Sequence, residues 1–439
     1  MFEKKRVFIK TYGCQMNVYD SERMEDALAS EGYQVTTVVD KANLILLNTC
    51  HIREKAAEKT YSELGRYRKI KEKNPNVKIG VTGCVAQAEG EEIIRRQPLV
   101  DLVVGPQSYH RLPGMLKTVA KGLKSVDIDF PVEDKFLHLA QSKEKRLSPV
   151  AFLTVQEGCD KFCSFCVVPY TRGSEVSRSP EHLLAEAQDL VSRGSREITL
   201  LGQNVNGYSY GLGNEHWDLA RLISELAGIS DLKRIRFTTS HPNDMSDSLI
   251  GLFGSEEKLM PYLHLPVQSG SNRILKAMNR RHSVEEYKSI IYRVREKRPD
   301  IAISGDFIVG FPGETEEDFQ KTLDLCNEVE YAQAYSFKYS SRPGTPAAKL
   351  SEVEEKHKSE RLSRLQSVLT QQQKNFKEAM IGKHYQVLIE KKGKEIGQVI
   401  GRSPYLQPVF LQGSAKLFGK IVPVEIKSYR TNSLEGTQI

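Results

Sequence analysis

The chain has 439 residues, 39% hydrophobic and 27% charged, with a formal net charge of +7. That length exceeds what one hydrophobic core usually serves, so two or three domains are expected, and the balance of apolar and charged residues excludes a wholly disordered chain. No apolar run approaches the roughly 18 residues of a membrane span, and the charged first ten residues lack the apolar centre of a signal peptide, so a cytoplasmic protein outside the membrane is expected.

In chain order, 7–9, 44–47, 78–81 and 99–104 are short β-rich apolar runs, the first three followed by polar turns and helical stretches. The alternation predicts a doubly wound α/β domain with a parallel sheet over 1–120. Residues 121–148 are charged, weakly periodic and read as a linker. A second domain, 149–376, offers six strands at 151–156, 197–201, 234–238, 262–265, 301–309 and 334–339, most of them separated by helical stretches. Six such units suit a partial (βα)6 barrel, whose chemistry gathers at the carboxyl ends of its strands. The Gln- and Lys-rich helix at 353–377 reads as an exposed connector. Residues 377–439 alternate in short runs at 385–389, 395–401, 407–410 and 422–428, as a small antiparallel β-barrel would. This last segment carries ten Lys/Arg against five Glu, a balance that suits a polyanionic partner.

Seven cysteines stand at 14, 50, 84, 159, 163, 166 and 326. In a reducing compartment they are expected to hold metal or do chemistry rather than form disulfides. Cys159, Cys163 and Cys166 lie in one short loop after a predicted strand, close enough in sequence to wrap a compact cluster. A closed iron-sulfur cubane takes four thiolates; three leave one iron open to an exogenous ligand. The alternative is a structural zinc site, which needs a fourth ligand, and His182 sits inside a predicted helix without ligand spacing.

Other predicted strand ends gather glycines and polar groups beside this loop: Gly202-Gln203-Asn204, Ser240-His241-Pro242, the run from Pro266 through Gln268 to Ser271, and the run from Gly305 through Gly310 to Glu314. Cys14, Cys50 and Cys84 each end a predicted strand of the first domain, and an open parallel sheet carries all its carboxyl ends on one edge, so the three thiols are expected to meet there. The alternative is three unrelated buried cysteines. Cys326 shares a helical face with Phe319 and Leu323 and reads as core.

The loop CxxxCxxC with an aromatic, Phe165, before its last cysteine resembles the radical S-adenosylmethionine (SAM) superfamily. Over the whole chain, Thr11-Tyr-Gly-Cys-Gln-Met-Asn17, Asn48-Thr-Cys-His-Ile-Arg53, Gly83-Cys-Val-Ala-Gln87, Gln156-Glu-Gly-Cys-Asp160, Val167-Val-Pro-Tyr-Thr-Arg-Gly173 and Leu201-Gly-Gln-Asn-Val-Asn206 resemble the methylthiotransferases of that superfamily. The resemblance implies an N-terminal domain binding an auxiliary 4Fe-4S cluster through Cys14, Cys50 and Cys84, a radical SAM core with a 4Fe-4S cluster on Cys159, Cys163 and Cys166, and a C-terminal TRAM domain that binds RNA. It also implies two SAM molecules per turnover: one methylates a sulfur at the auxiliary cluster, the other gives a 5′-deoxyadenosyl radical that takes hydrogen from C2 of an adenine.

Phe165, Gly202, Gln203, Asn204, His241, Gln268 and Gly310 are the expected contacts for SAM or substrate. Many superfamily members carry Gly-Gly-Glu where this chain has Gly202-Gln203-Asn204. Gly13-Cys14-Gln15-Met16-Asn17 favours the branch acting on N6-dimethylallyladenosine at position 37 of the tRNA anticodon stem-loop. The rivals within the family act on threonylcarbamoyladenosine or on a ribosomal protein aspartate, and a rival of another class is a non-catalytic, zinc-stabilised RNA-binding protein. An electron donor such as flavodoxin or ferredoxin and a monomeric chain complete the expectation.

Overall fold

A computed structural model describes residues 5–50, 56–130 and 148–439. The chain forms two compact units. The first takes Met1–Lys145 with Glu157–Asp160 and Cys166–Glu175; the second takes Arg146–Gln156, Lys161–Phe165 and Val176–Ile439. The cysteine loop is therefore divided, Cys159 and Cys166 folding with the first unit and Cys163 with the second. A reading in consecutive domains does not anticipate that division.

In the first unit, β1 (Lys5–Thr11), β2 (Tyr33–Val35), β3 (Leu44–Thr49), β4 (Lys78–Gly83), β5 (Leu102–Val104) and β6 (Ser125–Asp127) form one sheet in the order β2-β1-β3-β4-β5-β6. Every pairing is parallel. Alternation along β3 explains the two layers: Ile45 and Leu47 enter a core with Leu64, Tyr67 and Ile79, whereas Leu44 and Leu46 enter another with Met24, Leu28 and Met115. With both faces covered, β3 is buried at every residue, as a central parallel strand should be. The sequence reading misses β2 and β6, three-residue edge strands without a buried residue. β6 lies within the stretch read as a linker, so the sheet extends past residue 120; most of that stretch, 131–147, lies outside the described residues.

The second unit contains the six expected barrel strands. Val150–Thr154, Glu197–Leu201 and Arg234–Phe237 make one parallel sheet; Tyr262–His264, Ala302–Val309 and Gln333–Lys338 make another. An isolated parallel bridge pairs Ile235 with Leu259, in the segment that leads into Tyr262–His264. Leu153, Ile198, Leu200, Ile235, Leu263 and Phe307 pack outward onto the helices, and Cys326 is fully buried in the same core.

Helix Glu355–Glu378 is no exposed connector. Leu365 and Leu369, one turn apart, enter the barrel core, and the buried Arg361 reaches Glu314 at 2.9 Å. Its apolar stripe is narrow and partly made of the aliphatic stems of Lys358 and Arg361, so the helix looks polar in sequence.

The C-terminal segment is a closed barrel of His384–Lys392, Gln398–Arg402, Pro408–Gln412, Ser433–Gln438 and Ile421–Arg430 in that spatial order. Four pairings are antiparallel, and the fifth, Pro408–Gln412 with Ser433–Gln438, is parallel. This barrel sits at the amino ends of the larger barrel's strands. There Arg236 donates to the Ser403 carbonyl at 3.0 Å, the Pro404 carbonyl at 2.7 Å and Glu197 at 2.9 Å, and Arg234 donates to the Arg402 carbonyl at 3.0 Å. Removing one member of such a buried ion group strands the other charge. Arg236→Met is therefore expected to destabilise the protein by about 3–5 kcal/mol in denaturant unfolding; unfolding unchanged from wild type would show that this contact contributes little.

Candidate functional site

β1, β3 and β4 are neighbours in the sheet, and Cys14, Cys50 and Cys84 follow their carboxyl ends. Because β2 lies outside β1, the strand order reverses between β1 and β3, the crevice where open α/β sheets take ligands. Gly13, at φ +108°, has no room for a Cβ: one there would strike the Cβ of Cys50 and lie 3.0 Å from its sulfur. A Cβ on Gly83 (φ +86°) would strike the Thr49 carbonyl and lie 2.6 Å from Asn48 Oδ1. Both glycines thus permit the strand ends to crowd together. Asn48 Nδ2 donates to the Asn17 carbonyl (2.8 Å) and to Ser21 Oγ (2.9 Å), bracing the turns that carry Cys14 and Cys50.

The Cys14 thiol is lowered to about 6, first by its hydrogen bond with Cys50, with the Arg172 charge assisting. Burial pushes the Cys84 thiol up, and Arg172 again works against that. These couplings put three soft ligands and one fixed cation in a common environment, a donor set that fits a thiolate-bound cluster. Among the described residues no three His, Cys, Asp or Glu side chains converge on a single ion. A cubane demands less convergence, since each thiolate holds its own iron.

The central cysteines are held by backbone and charge. In the first unit, Cys159 N–H donates to the Gly173 carbonyl at 3.2 Å, and Val168 N–H donates to the Cys166 sulfur at 3.4 Å. In the second unit, the buried Cys163 sulfur accepts from Arg280 Nη1 at 3.6 Å. Ser164 N–H donates to the Met278 carbonyl at 2.9 Å, while Phe165 packs on Ile274, Phe311 and Tyr339. Lys161 pairs with Asp244 at 2.7 Å, and Asp244 also accepts from Asn204 Nδ2 at 2.7 Å, so the cysteine loop is tied to loops at the ends of the second and third barrel strands.

The remaining candidate contacts fall at the same carboxyl ends. Gln156 Oε1 accepts from the N–H groups of Gln203 (3.1 Å) and Asn204 (3.0 Å), and a Cβ on Gly202 would lie 2.6 Å from that oxygen. Gly310, at φ +69°, lies under the Lys358 side chain and donates its N–H to Glu314 at 2.6 Å. Phe165, Gly202 and Gly310 are thus placed by packing. Gln268 is half-buried with φ +79°. Of the seven non-glycine residues with positive φ among the described residues, Phe162, Thr239, Gln268, Asn279 and Arg281 lie in the cysteine loop or the loops on this side of the barrel. Backbone strain of this kind collects at functional sites. His241 is buried edge-on to His282, with ring centroids 5.7 Å apart, and its Nε2 has no hydrogen-bond partner among the described residues.

Family descriptions match three segments: "Uncharacterized protein family UPF0004" at 6–105, the radical SAM superfamily at 153–326 and the TRAM domain at 378–439. A tRNA-2-methylthio-N(6)-dimethylallyladenosine synthase of Jannaschia sp. (strain CCS1) is 64% identical over 433 residues, which cover 98% of this chain and 94% of that one. Another, of Ruegeria sp. (strain TM1040), is 61% identical over 439 residues and covers all of both chains. The chain belongs to the tRNA-2-methylthio-N(6)-dimethylallyladenosine synthase family. Membership of the radical SAM superfamily brings with it SAM and a 4Fe-4S cluster. Among solved structures, the radical SAM methyltransferase TsrM from Kitasatospora setae superposes with a TM-score of 0.59 at 13% identity, covering 79% of this chain and 77% of that one. The cobalamin-dependent radical SAM enzyme OxsB gives 0.53 at 14% identity, over 83% and 56%. At such identities the likeness is one of fold. Among the described residues no helix is long and apolar enough to cross a membrane.

For this member of the synthase family the structure adds residues to which sequence reasoning gave no role: Arg172 and Asp20 near the N-terminal thiols, Glu157 paired with Arg172, and Arg280, His282 and Asp244 beside the central loop. Arg172 lies in the motif Val167–Gly173, but the partner of a buried arginine is not visible along the chain. Burial, reinforced by Arg280, His282, Lys161 and Arg281, lowers His241 to about 2; burial and Arg280 lower His282 to about 4. Both rings are neutral in the folded protein at neutral pH. Below the ordinary histidine value of about 6.5 the unfolded chain takes up protons that the folded chain refuses, so stability falls as pH falls. His241 alone is expected to cost on the order of 2 kcal/mol between pH 7 and pH 5. Unfolding of the apoprotein should therefore show a smaller acid penalty in His241→Asn; an equal penalty in both proteins would mean that His241 is protonated when folded.

Proposed function

We propose that this protein methylthiolates C2 of N6-dimethylallyladenosine at position 37 of tRNA, beside the anticodon. The observation that carries the reading is the distribution of thiols: three at the carboxyl edge of one parallel sheet, three in the loop after the first barrel strand, and the seventh, Cys326, fully buried with its thiol pushed up by burial. Each set is one short of closing a cubane, so each would leave one iron for an exogenous ligand.

In this reading Cys159, Cys163 and Cys166 hold the cluster at which SAM is cleaved, and Cys14, Cys50 and Cys84 hold a second one. The chemistry these groups supply when bound is one-electron cleavage of SAM at the central set and carriage of the sulfur at the N-terminal set, two SAM molecules being used per turnover. An aromatic C–H is too weak an acid for side-chain acid-base catalysis, and so the hard step falls to cofactors. The protein's own residues bind and orient. Arg280 sets a positive charge on the Cys163 sulfur and the Lys161–Asp244–Asn204 contacts fix the loop; His241 and Gln268 are read as contacts for cofactor or base. The excess of Lys and Arg in the C-terminal segment suits RNA phosphates, and an anticodon loop offers splayed bases. A flavodoxin or ferredoxin supplies electrons to a monomeric, cytoplasmic enzyme. The Gly13–Asn17 turn and the full-length relatives favour the dimethylallyl substrate over threonylcarbamoyladenosine or a ribosomal protein aspartate.

Mass spectrometry of tRNA nucleosides from cells lacking the gene is expected to show dimethylallyladenosine without its methylthio group, restored on complementation. Loss from the threonylcarbamoyl nucleoside instead would reassign the substrate. Cys159→Ala is expected to abolish 5′-deoxyadenosine formation in the purified enzyme, and continued SAM cleavage by that variant would refute the role of the central set.

A further inference from the structure

Arg172 ends the short helix Val168–Arg172 that follows Cys166, and its side chain is only 3% exposed. Nη2 donates to Asp20 Oδ2 at 2.7 Å and Asn17 Oδ1 at 3.3 Å, and Nη1 donates to Glu157 Oε1 at 3.1 Å. Asp20 and Asn17 lie on helix Gln15–Ala29, whose N-cap is Cys14; Glu157 stands two positions before Cys159. Gln107 Nε2 secures the same joint, donating to Glu157 Oε2 at 3.1 Å and to the Arg172 carbonyl at 2.8 Å. One guanidinium therefore spans the helix begun by Cys14 and the segments that carry Cys159 and Cys166, all within the first unit.

Stability is a poor reason for such an arrangement. A buried ion group of this kind is commonly matched or bettered by apolar side chains of equal volume, because desolvating each ion costs several kcal/mol. Geometry gives a better one. Two carboxylates approached from two sides require a planar fork, and a lysine ammonium, a point charge, cannot reproduce it. The charge has a use as well: Asn17 Oδ1, which accepts from Arg172, also accepts from the Cys14 sulfur at 3.5 Å, so the guanidinium stands one residue's contact away from that thiol. A cation held beside thiolates stabilises the more negative, reduced state of whatever they bind.

We propose that Arg172 is a positioning residue that locks the segments bearing Cys159 and Cys166 to the Cys14, Cys50 and Cys84 site and holds a positive charge against the thiolates there. The inference rests on the reading that those three cysteines bind an iron-sulfur cluster. Spacing and potential are separable, since Arg172→Lys keeps the charge and loses the fork, while Arg172→Gln loses the charge.

The test uses the anaerobically reconstituted full chain. In a background with Cys159, Cys163 and Cys166 replaced by Ala, redox titration followed by electron paramagnetic resonance isolates the N-terminal cluster. Arg172→Gln is expected to move its midpoint potential in the negative direction, and Asp20→Asn, which removes a nearby negative charge, in the positive direction. With the central cysteines intact, Arg172→Lys is expected to raise the ratio of 5′-deoxyadenosine to methylthiolated tRNA by roughly tenfold or more, as loss of alignment does. Should Arg172→Gln fail to fold, Asp20→Asn and Arg172→Lys decide. Loaded variants with unmoved potentials and an unmoved ratio overturn the inference alone. A parent background that retains no cluster overturns the reading beneath it, and the inference with it.

Discussion

Parallel strands deliver their carboxyl ends to one edge, and the rest of this structure depends on that constraint. In the first unit it brings the ends of β1, β3 and β4 together with their cysteines, and in the second it gathers Cys163, Asn204, Asp244, His241 and Gln268 on one side of a barrel. Thiolates are anionic when they bind metal, so bringing them together requires countercharge and hydrogen bonds. The chain provides these with two buried arginines, Arg172 near Cys14 and Cys84, and Arg280 against Cys163.

The opposite end of the larger barrel solves a different problem. Glu197, Arg234 and Arg236 lie at the starts of two of its strands; Glu197 accepts from Arg236, and the two buried arginines donate to backbone carbonyls of the C-terminal barrel. The basic domain is thereby fixed at the amino ends while the carboxyl ends keep the chemistry, the division of labour common to βα-barrels. Helix Glu355–Glu378 joins the two barrels and also covers the core through Leu365 and Leu369.

Much of this was legible in the sequence. The six barrel strands and the central sheet strands are apolar runs bounded by polar turns, and the six cysteines follow their ends; local pattern suffices for both. What escaped has a common cause in distance along the chain. Arg172 and Asp20 are 152 positions apart, and Arg280 and Cys163 are 117 apart, so no window of sequence contains either pair. The edge strands β2 and β6 escaped because three half-exposed residues carry little hydrophobic signal. The division of the cysteine loop between two units reflects tertiary packing alone. Phe165, Gly202 and Gly310 show the converse: a motif position can be required by packing before any ligand is considered.

If each set of three cysteines binds its own iron-sulfur cluster, as proposed, either set loads without the other. Iron and acid-labile sulfide analysis with Mössbauer spectroscopy, on the full chain and on two variants each lacking one cysteine set, tests it directly. Either variant is expected to keep about half the iron of the parent, with the spectrum of one intact cubane. Loss of all iron on removing either set, or a parent chain that binds a single centre, would contradict it.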